Sequence, residues 1–101
     1  MGEKLREIRY FPDFGRKYPL WESGTDKYAM DPWDYDLSNE LASGLRELME
    51  LWNAHFTDQH GPEFEWDSLE NERRYWDQSD QLLEKLRSEV ADIAIVLDQR
   101  R

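Results

Sequence analysis

Two segments of the sequence repeat apolar residues at the spacing of an α-helix. In the first segment, steps of three and four residues predict a helix that begins after Ser38 and fades near Thr57. Its apolar stripe consists of Leu41, Leu45, Leu48, Trp52 and Phe56. Ser38 can cap this helix, and Glu40 suits the positive end of the helix dipole. A helix with one apolar stripe must bury it against a second element, which strongly constrains the fold.

A second helix is predicted from Asp67 to about Glu89. Asp67 as N-cap and Glu70 three residues later have the spacing of a capping box. The apolar stripe of this helix is wide and consists of Leu69, Tyr75, Trp76, Leu82, Leu83, Leu86 and Val90. We expect the two helices to pack together, with Gly44 and Ser79 small enough to allow close approach.

Strands are predicted at both ends of the chain. Residues 93–97 form a short apolar run rich in β-branched side chains, which predicts a buried strand. Residues 5–11 alternate imperfectly and are expected to pair with it in an antiparallel manner. Two strands make a marginal sheet, so a third is expected near residues 18–22, or pairing across a dimer.

Residues 12–37 are predicted to form a long ordered loop. The Asp31-Pro32 step can start a single helical turn, and residues 23–26 suit a reverse turn. Gly61-Pro62 predicts a connection between the helices. The predicted fold class is α+β, with two antiparallel amphipathic helices packed on a small antiparallel sheet. This is a β-α-α-β core in one domain, residues 1–101.

The sequence of 101 residues contains no cysteine. Disulfides, thiolate metal sites and thiol nucleophiles are therefore excluded, and a reducing compartment is favoured. No export segment and no run of apolar residues long enough to span a membrane is visible. We accordingly expect a cytoplasmic protein.

The formal net charge of -10 is unevenly distributed. Residues 1–19 carry five bases and three acids, and residues 68–101 carry six bases and eight acids, so the two ends cancel. Residues 20–67 hold twelve acids against only Lys27 and Arg46. Such a surplus opposes binding to nucleic acid or an anionic membrane and favours a basic protein partner.

Aromatic residues are interleaved with these acids. The pattern predicts a recognition surface in which carboxylates attract a cationic partner and rigid rings supply contact area. The alternative is that the acids are solvated and the rings cover the core. The predicted partner-binding residues are Trp21, Glu22, Asp31, Trp33, Asp34, Tyr35 and Asp36, with Glu63 and Glu65 as second choices.

Signs of catalysis are weak. Five scattered glycines cannot form a phosphate-binding loop, and no serine has a nucleophile context. His55 and His60 are five residues apart and do not match a zinc-protease helix. Trp66 is best interpreted as a hydrophobic staple beside the second helix. No catalytic residue, metal site or cofactor is predicted.

Two short motifs support a family resemblance. Pro19-Leu20-Trp21-Glu22, followed by Leu37-Ser38-Asn39-Glu40-Leu41, resembles a pattern in short, acidic, mostly uncharacterised actinobacterial proteins. In size, lack of cysteine and acidic surplus the chain is also similar to small immunity proteins that neutralise bacterial nuclease-type toxins. The second similarity implies a basic toxin domain as partner and no enzymatic activity.

The leading hypothesis is therefore a non-enzymatic binding protein, an immunity or inhibitor protein whose acidic, aromatic-rich residues 20–67 cover a basic site on a toxin. One alternative is a homodimeric accessory protein in which the acids serve solubility alone. A third is a small metal-dependent hydrolase that uses His55, His60 and nearby carboxylates.

Overall fold

A computed structural model of the chain describes residues 5–57 and 65–100. The elements in those ranges are β1 (Arg6–Tyr10), β2 (Leu20–Trp21), a 3₁₀ turn (Pro32–Tyr35), α1 (Asn39–His55), β3 (Phe56–Thr57), β4 (Glu65–Trp66), α2 (Leu69–Glu89) and β5 (Ala94–Asp98). The α+β class is confirmed, as are the third strand and the helical turn in the long loop. The predicted connection at Gly61-Pro62 lies outside the described residues.

The main sheet has the strand order β2-β1-β5 and mixed directions. β2 pairs antiparallel with β1, with Leu20 opposite Tyr10. β5 pairs parallel with β1, with Val96 opposite Ile8. The predicted antiparallel pairing of the first and last strands is therefore wrong. Because β2 folds back on β1 before the helices begin, it adds one reversal of chain direction, and β5 returns parallel to β1.

Only one face of β5 is buried, which corrects the prediction of a fully buried strand. Ala94 and Val96 point into the core, whereas Ile95 keeps 48% of its surface exposed. Both helices pack on the same side of the sheet, since Tyr10 on β1 and Val96 on β5 share one core cluster with α1 and α2. The alternation follows from the two-residue period of a strand with one covered face.

Serine side chains cap both helices. Ser38 accepts the backbone N–H three residues further on at 3.1 Å, as predicted for α1. In α2, Ser68 accepts the N–H of Asn71 at 3.1 Å, so the prediction of Asp67 as N-cap is wrong by one residue. The Asp67 carboxylate instead lies 2.7 Å from His55 Nδ1. Asp67 therefore ties α2 to the end of α1.

The helices approach each other closely at Gly44, as predicted. A Cβ atom at this position would lie 2.7 Å from Leu82 Cδ2 on α2. Ser79 is fully buried, its carbonyl accepts the Tyr10 hydroxyl at 3.0 Å, and its hydroxyl accepts a hydrogen bond from Arg100. Ser79 thus joins α2 to the sheet and to the end of the chain.

One apolar cluster lies between the helices and the sheet. Its fully buried side chains include Ile8, Tyr10, Leu20, Leu41, Leu45, Leu48, Leu86 and Val90. Burial of each large apolar side chain contributes about 1.5 to 3 kcal/mol before conformational entropy is subtracted. The two helices are antiparallel, so the start of α1 meets the end of α2. There the backbone N–H of Ser38 donates to the Glu89 carboxylate at 2.7 Å.

Candidate functional site

The predicted partner-binding residues fall at opposite ends of α1. Asp31 to Asp36 precede the helix, whereas Glu65 lies in the small β3–β4 sheet that follows it. A helix of 17 residues is about 25 Å long. We call residues 20–37 the loop end, and residues 55–57 with 65–76 the hairpin end. The structure does not bring the two groups of acids together, and Glu63 lies outside the described residues.

At the loop end, Trp33 is the most exposed large apolar side chain among the described residues, with 67% of its surface accessible. It stands on the 3₁₀ turn, where Pro32 occupies the first position and Pro32 and Tyr35 are buried. The Asp34 carboxylate accepts the backbone N–H of Asp31 at 2.8 Å and closes the start of the turn. An exposed indole on such a fixed turn loses little entropy on binding.

Glu22 and Tyr35 are buried under the loop. The Tyr35 hydroxyl donates to Glu22 Oε1 at 2.7 Å, and Arg6 Nε donates to Glu22 Oε2 at 3.0 Å. Burial by itself would raise the pKa of Glu22, but the hydrogen bonds from Arg6 and Tyr35 outweigh it, and the pKa is lowered. Burial also raises the pKa of Tyr35. These two side chains hold the loop on β1 and expose little surface in this conformation, and their contact role stays a prediction.

Trp21 is likewise covered, with 3% of its surface accessible. Its ring stacks on Phe11 at 4.8 Å between centroids, and its Nε1 donates to the Phe11 carbonyl at 3.0 Å. Tyr28 lies on it at 5.3 Å between centroids. Loop aromatics therefore cover this part of the outer sheet face, and Trp21 cannot contact a partner directly in this conformation.

The carboxylates of the loop end are partly neutralised by Lys27. Its Nζ lies 2.8 Å from Asp31 Oδ2 and 2.6 Å from Asp34 Oδ2. Desolvation raises the pKa of Asp34, but the hydrogen bonds from Lys27 and from the Asp31 backbone prevail and lower it. Asp36 is exposed at the end of the turn, with φ of 55°. The loop end thus presents one indole with partly neutralised acids around it.

The hairpin end forms a groove of about 480 Å³. Its described lining residues are Phe56, Glu65, Trp66, Ser68, Leu69, Glu72 and Trp76. Trp66 is half-buried and lies 5.5 Å from the Phe56 ring and 5.3 Å from the Tyr75 ring, so it packs beside α2. The predicted hydrophobic staple is wrong, because Ser68 is the N-cap and Asp67, not Trp66, precedes it. Leu69 keeps 62% of its surface exposed. This groove is apolar at its floor and acidic at its rim.

The residues considered for metal chemistry form a small hydrogen-bonded cluster. Asp67 accepts from His55 and from Asn71, and these bonds lower the pKa of Asp67. His60 lies outside the described residues. Within residues 5–57 and 65–100, no three His, Asp or Glu side chains are grouped so that they could hold a metal ion. In the same ranges, neither helix has the length and apolar character needed to cross a membrane.

Sequence reasoning missed two features of these surfaces. Leu69 was assigned to the buried stripe of α2, but it lies in the first turn with 62% of its surface exposed, whereas Trp76 of the same stripe packs against the core as predicted. No ion pair was predicted for Lys27, although it precedes Asp31 by four residues and is one of two bases in residues 20–67. A base isolated among acids is a signal for an internal salt bridge.

Comparison with known proteins adds one match. A family model described as Serratia CdiI immunity protein-like matches residues 6–97. No curated protein matches the chain. The match covers both helices, the main sheet and both ends of the molecule. It supports the predicted similarity to toxin-immunity proteins, while the similarity to actinobacterial proteins stays a prediction.

Proposed function

The chain belongs to the Serratia CdiI immunity protein-like family, and from that premise we propose that it neutralises its toxin by binding, without catalysis of its own. Family membership gives it a role in toxin immunity, with a toxin as partner. The observation that carries the proposed mechanism is the exposure of Trp33 on a fixed turn. Buried aromatic anchors supply much of the affinity of protein interfaces.

We propose that the partner surface is basic, as the substrate-binding site of a nuclease-type toxin would be. Carboxylates at such a site compete with nucleic acid phosphates for Arg and Lys. The net charge of -10 also accelerates encounter with a cationic domain, to association rate constants of up to about 10⁸ to 10⁹ M⁻¹s⁻¹ at low salt. The protein then acts in the cytoplasm, where a toxin that attacks nucleic acid would find its substrate.

The proposed contacts at the loop end are Trp33, Asp31, Asp34 and Asp36. Trp21, Glu22 and Tyr35 support this surface from below and reach a partner only if the loop rearranges. Glu65 would contact the toxin from the other end of α1, and Glu63, outside the described residues, stays a second-choice contact. In this proposal the acids steer the toxin, and the indole holds it.

The proposal is tested with a toxin domain, which we expect a gene next to that of this chain to encode. We expect co-expression of the chain to restore growth of cells that produce the domain. Replacement of Trp33 by Ala should lower affinity by about tenfold or more while the melting temperature is retained, because the indole is exposed. Restored growth with unchanged affinity of W33A would exclude Trp33 as an anchor.

Steering is tested by neutralising Asp31, Asp34 and Asp36 together as Asn. Association should slow and become less dependent on salt, since long-range attraction is screened by ions. A matched control neutralises the exposed Glu47 and Glu50 on α1 together with Glu84 on α2, as Gln. Equal effects of the two triple variants would mean that only total charge matters.

A homodimer is a second candidate, favoured by one observation. Ile93 and Ile95 are exposed together on the outer face of the sheet, beside the edge formed by β5. Paired edges of this kind can join two copies of a chain. Sedimentation of the wild-type protein and of an Ile95→Lys variant decides the matter, because only a dimer through this edge would dissociate in the variant.

A further inference from the structure

The groove at the hairpin end has a floor of firmly packed aromatic rings. The Phe56 and Trp66 rings lie 5.5 Å apart, Trp66 and Tyr75 5.3 Å, and Tyr75 and Trp76 5.2 Å. Tyr75 is buried in the main core, so this row of rings continues the core outward to the surface. The floor is therefore preformed and requires no rearrangement to receive a ligand.

Leu69 makes the groove more apolar than stability requires. It begins α2 with 62% of its surface exposed, next to the exposed Ser68. Ser68 already caps the helix, and an acidic residue at position 69 would suit the helix dipole and remain solvated at no cost in burial. An exposed leucine beside half-buried Trp66 and Trp76 is the composition of a contact patch.

Within the part of the chain that the structure describes, no cation pairs with the acids at the rim. Glu65 and Glu72 make no salt bridge with another described residue. By contrast, Asp31 and Asp34 at the loop end are occupied by Lys27. Glu72 is also half-buried, so its charge lies close to the rings. A cation gains more at this rim than at carboxylates that already have one.

The protein already binds one guanidinium group with the same chemistry. Arg100 lies 5.0 Å from the Trp76 ring centroid and 5.5 Å from that of Tyr10. Its nitrogens are 2.7 Å from Asp80 and 2.6 Å from Asp98. Aromatic faces beside carboxylates therefore hold an arginine firmly in this fold.

We propose that the groove receives from the cognate toxin an apolar side chain flanked by an Arg or Lys. The apolar side chain would rest on Trp66 and Leu69, and the cation would pair with Glu72 or Glu65. This inference rests on the proposed toxin-binding function and adds a second contact region, about one helix length from Trp33. Charge complementarity between the acidic rim and a basic toxin surface selects this occupant.

The test measures the affinity of exposed-residue variants for the same toxin domain. Leu69→Ser should weaken binding by about tenfold, and the double variant Glu65→Gln, Glu72→Gln should slow association. The matched control is the double variant Glu70→Gln, Glu84→Gln, an equal charge change at exposed positions of α2 outside the groove lining, which should alter affinity by less than about twofold. Arg73→Gln should strengthen binding of the toxin domain, because Arg73 follows Leu69 by one helical turn and repels a cationic partner.

A photo-crosslinking residue in place of Leu69 gives an independent readout. It should form a covalent product with the toxin domain, and the same residue in place of the exposed Glu84 should not. If L69S and the double Gln variant bind like wild type while W33A fails, the groove proposal is wrong and the proposed function stands. If wild-type protein forms no complex with the domain, both are wrong.

Discussion

Glu22 joins the long loop to the first strand of the sheet through Arg6 and Tyr35. Its position in the acidic middle of the chain predicted contact with a partner, but its carboxylate is enclosed between Arg6 and Tyr35. Arg6 also lies over the Tyr35 ring, 4.6 Å from its centroid. This unit of one cation, one anion and one phenol fastens the long loop to β1, so the exposed indole two residues before Tyr35 keeps its place.

Replacement of Glu22 by Gln should lower the free energy of unfolding by about 1 to 3 kcal/mol, because charged hydrogen bonds to Arg6 and Tyr35 are lost in a nearly buried site. The folded-state pKa of Glu22 lies below its ordinary value of 4.5. Ionised Glu22 therefore stabilises the folded protein fully above pH 4.5, and this contribution is lost as the pH falls through the lower pKa of the folded state. Urea unfolding at pH 7 and at pH 3 measures the difference.

The matched control is Glu7→Gln, which makes the same change at an exposed position on β1, next to Arg6. It should change stability by less than about 0.5 kcal/mol. A difference between E22Q and wild type that persists undiminished at pH 3 would show that charge at Glu22 does not stabilise the fold.

At the scale of elements, the helices were predictable and the strand directions were not. The apolar stripe of α1 and the serine before it determine this helix locally. The predicted helix, from after Ser38 to near Thr57, therefore nearly matches the observed Asn39–His55. The direction of β5 depends on whether a strand pairs with β1 before the helices begin. A third strand was expected near residues 18–22, but pairing across a dimer was left open, so this reversal did not enter the predicted topology. A local pattern cannot determine a pairing that is set by the number of reversals along the chain.

The register of β5 gives a prediction at this scale. Val96→Thr should lower the free energy of unfolding by about 1 to 3 kcal/mol, since a hydroxyl replaces a buried methyl group in the core. Ile95→Thr should change it by less than about 0.5 kcal/mol, because that side chain faces outward and Thr suits a strand. Chemical denaturation of the two variants compares them directly, and a larger loss in I95T would contradict the register.

The contact between the helices at Gly44 gives another. Gly44→Ala should be nearly neutral, because a gain in helix propensity of about 1 kcal/mol offsets the displacement of the Leu82 side-chain tip. Gly44→Leu should lower stability by about 1 to 3 kcal/mol, since the larger side chain must push α2 away. Thermal unfolding of both variants measures this, and equal stability of the two would mean that the helices do not meet at Gly44.

At the scale of the whole molecule, the sequence indicated the composition of a binding surface but not its location. The acidic and aromatic middle of the chain includes α1, which separates the loop end from the hairpin end. Trp33 and Trp21 have similar sequence surroundings, yet one is exposed and the other covered by Phe11 and Tyr28. Exposure of an aromatic ring depends on distant packing, so it could not be inferred from its neighbours in the sequence.

Both proposed contact regions lie on a chain whose family is one of immunity proteins. In the proposed function, this chain protects the cell by binding one toxin molecule per molecule of immunity protein. A binder and a catalyst differ in how much protein is needed, because a catalyst acts on many toxin molecules and a binder on one.

The most direct measurement is a titration of purified chain into a fixed amount of the active toxin domain, with residual toxin activity as the readout. For a binding protein we expect toxin activity to fall linearly and to be lost completely near one molar equivalent, at toxin concentrations well above the dissociation constant. Complete loss at a small fraction of an equivalent, or undiminished toxin activity at many equivalents, would contradict it.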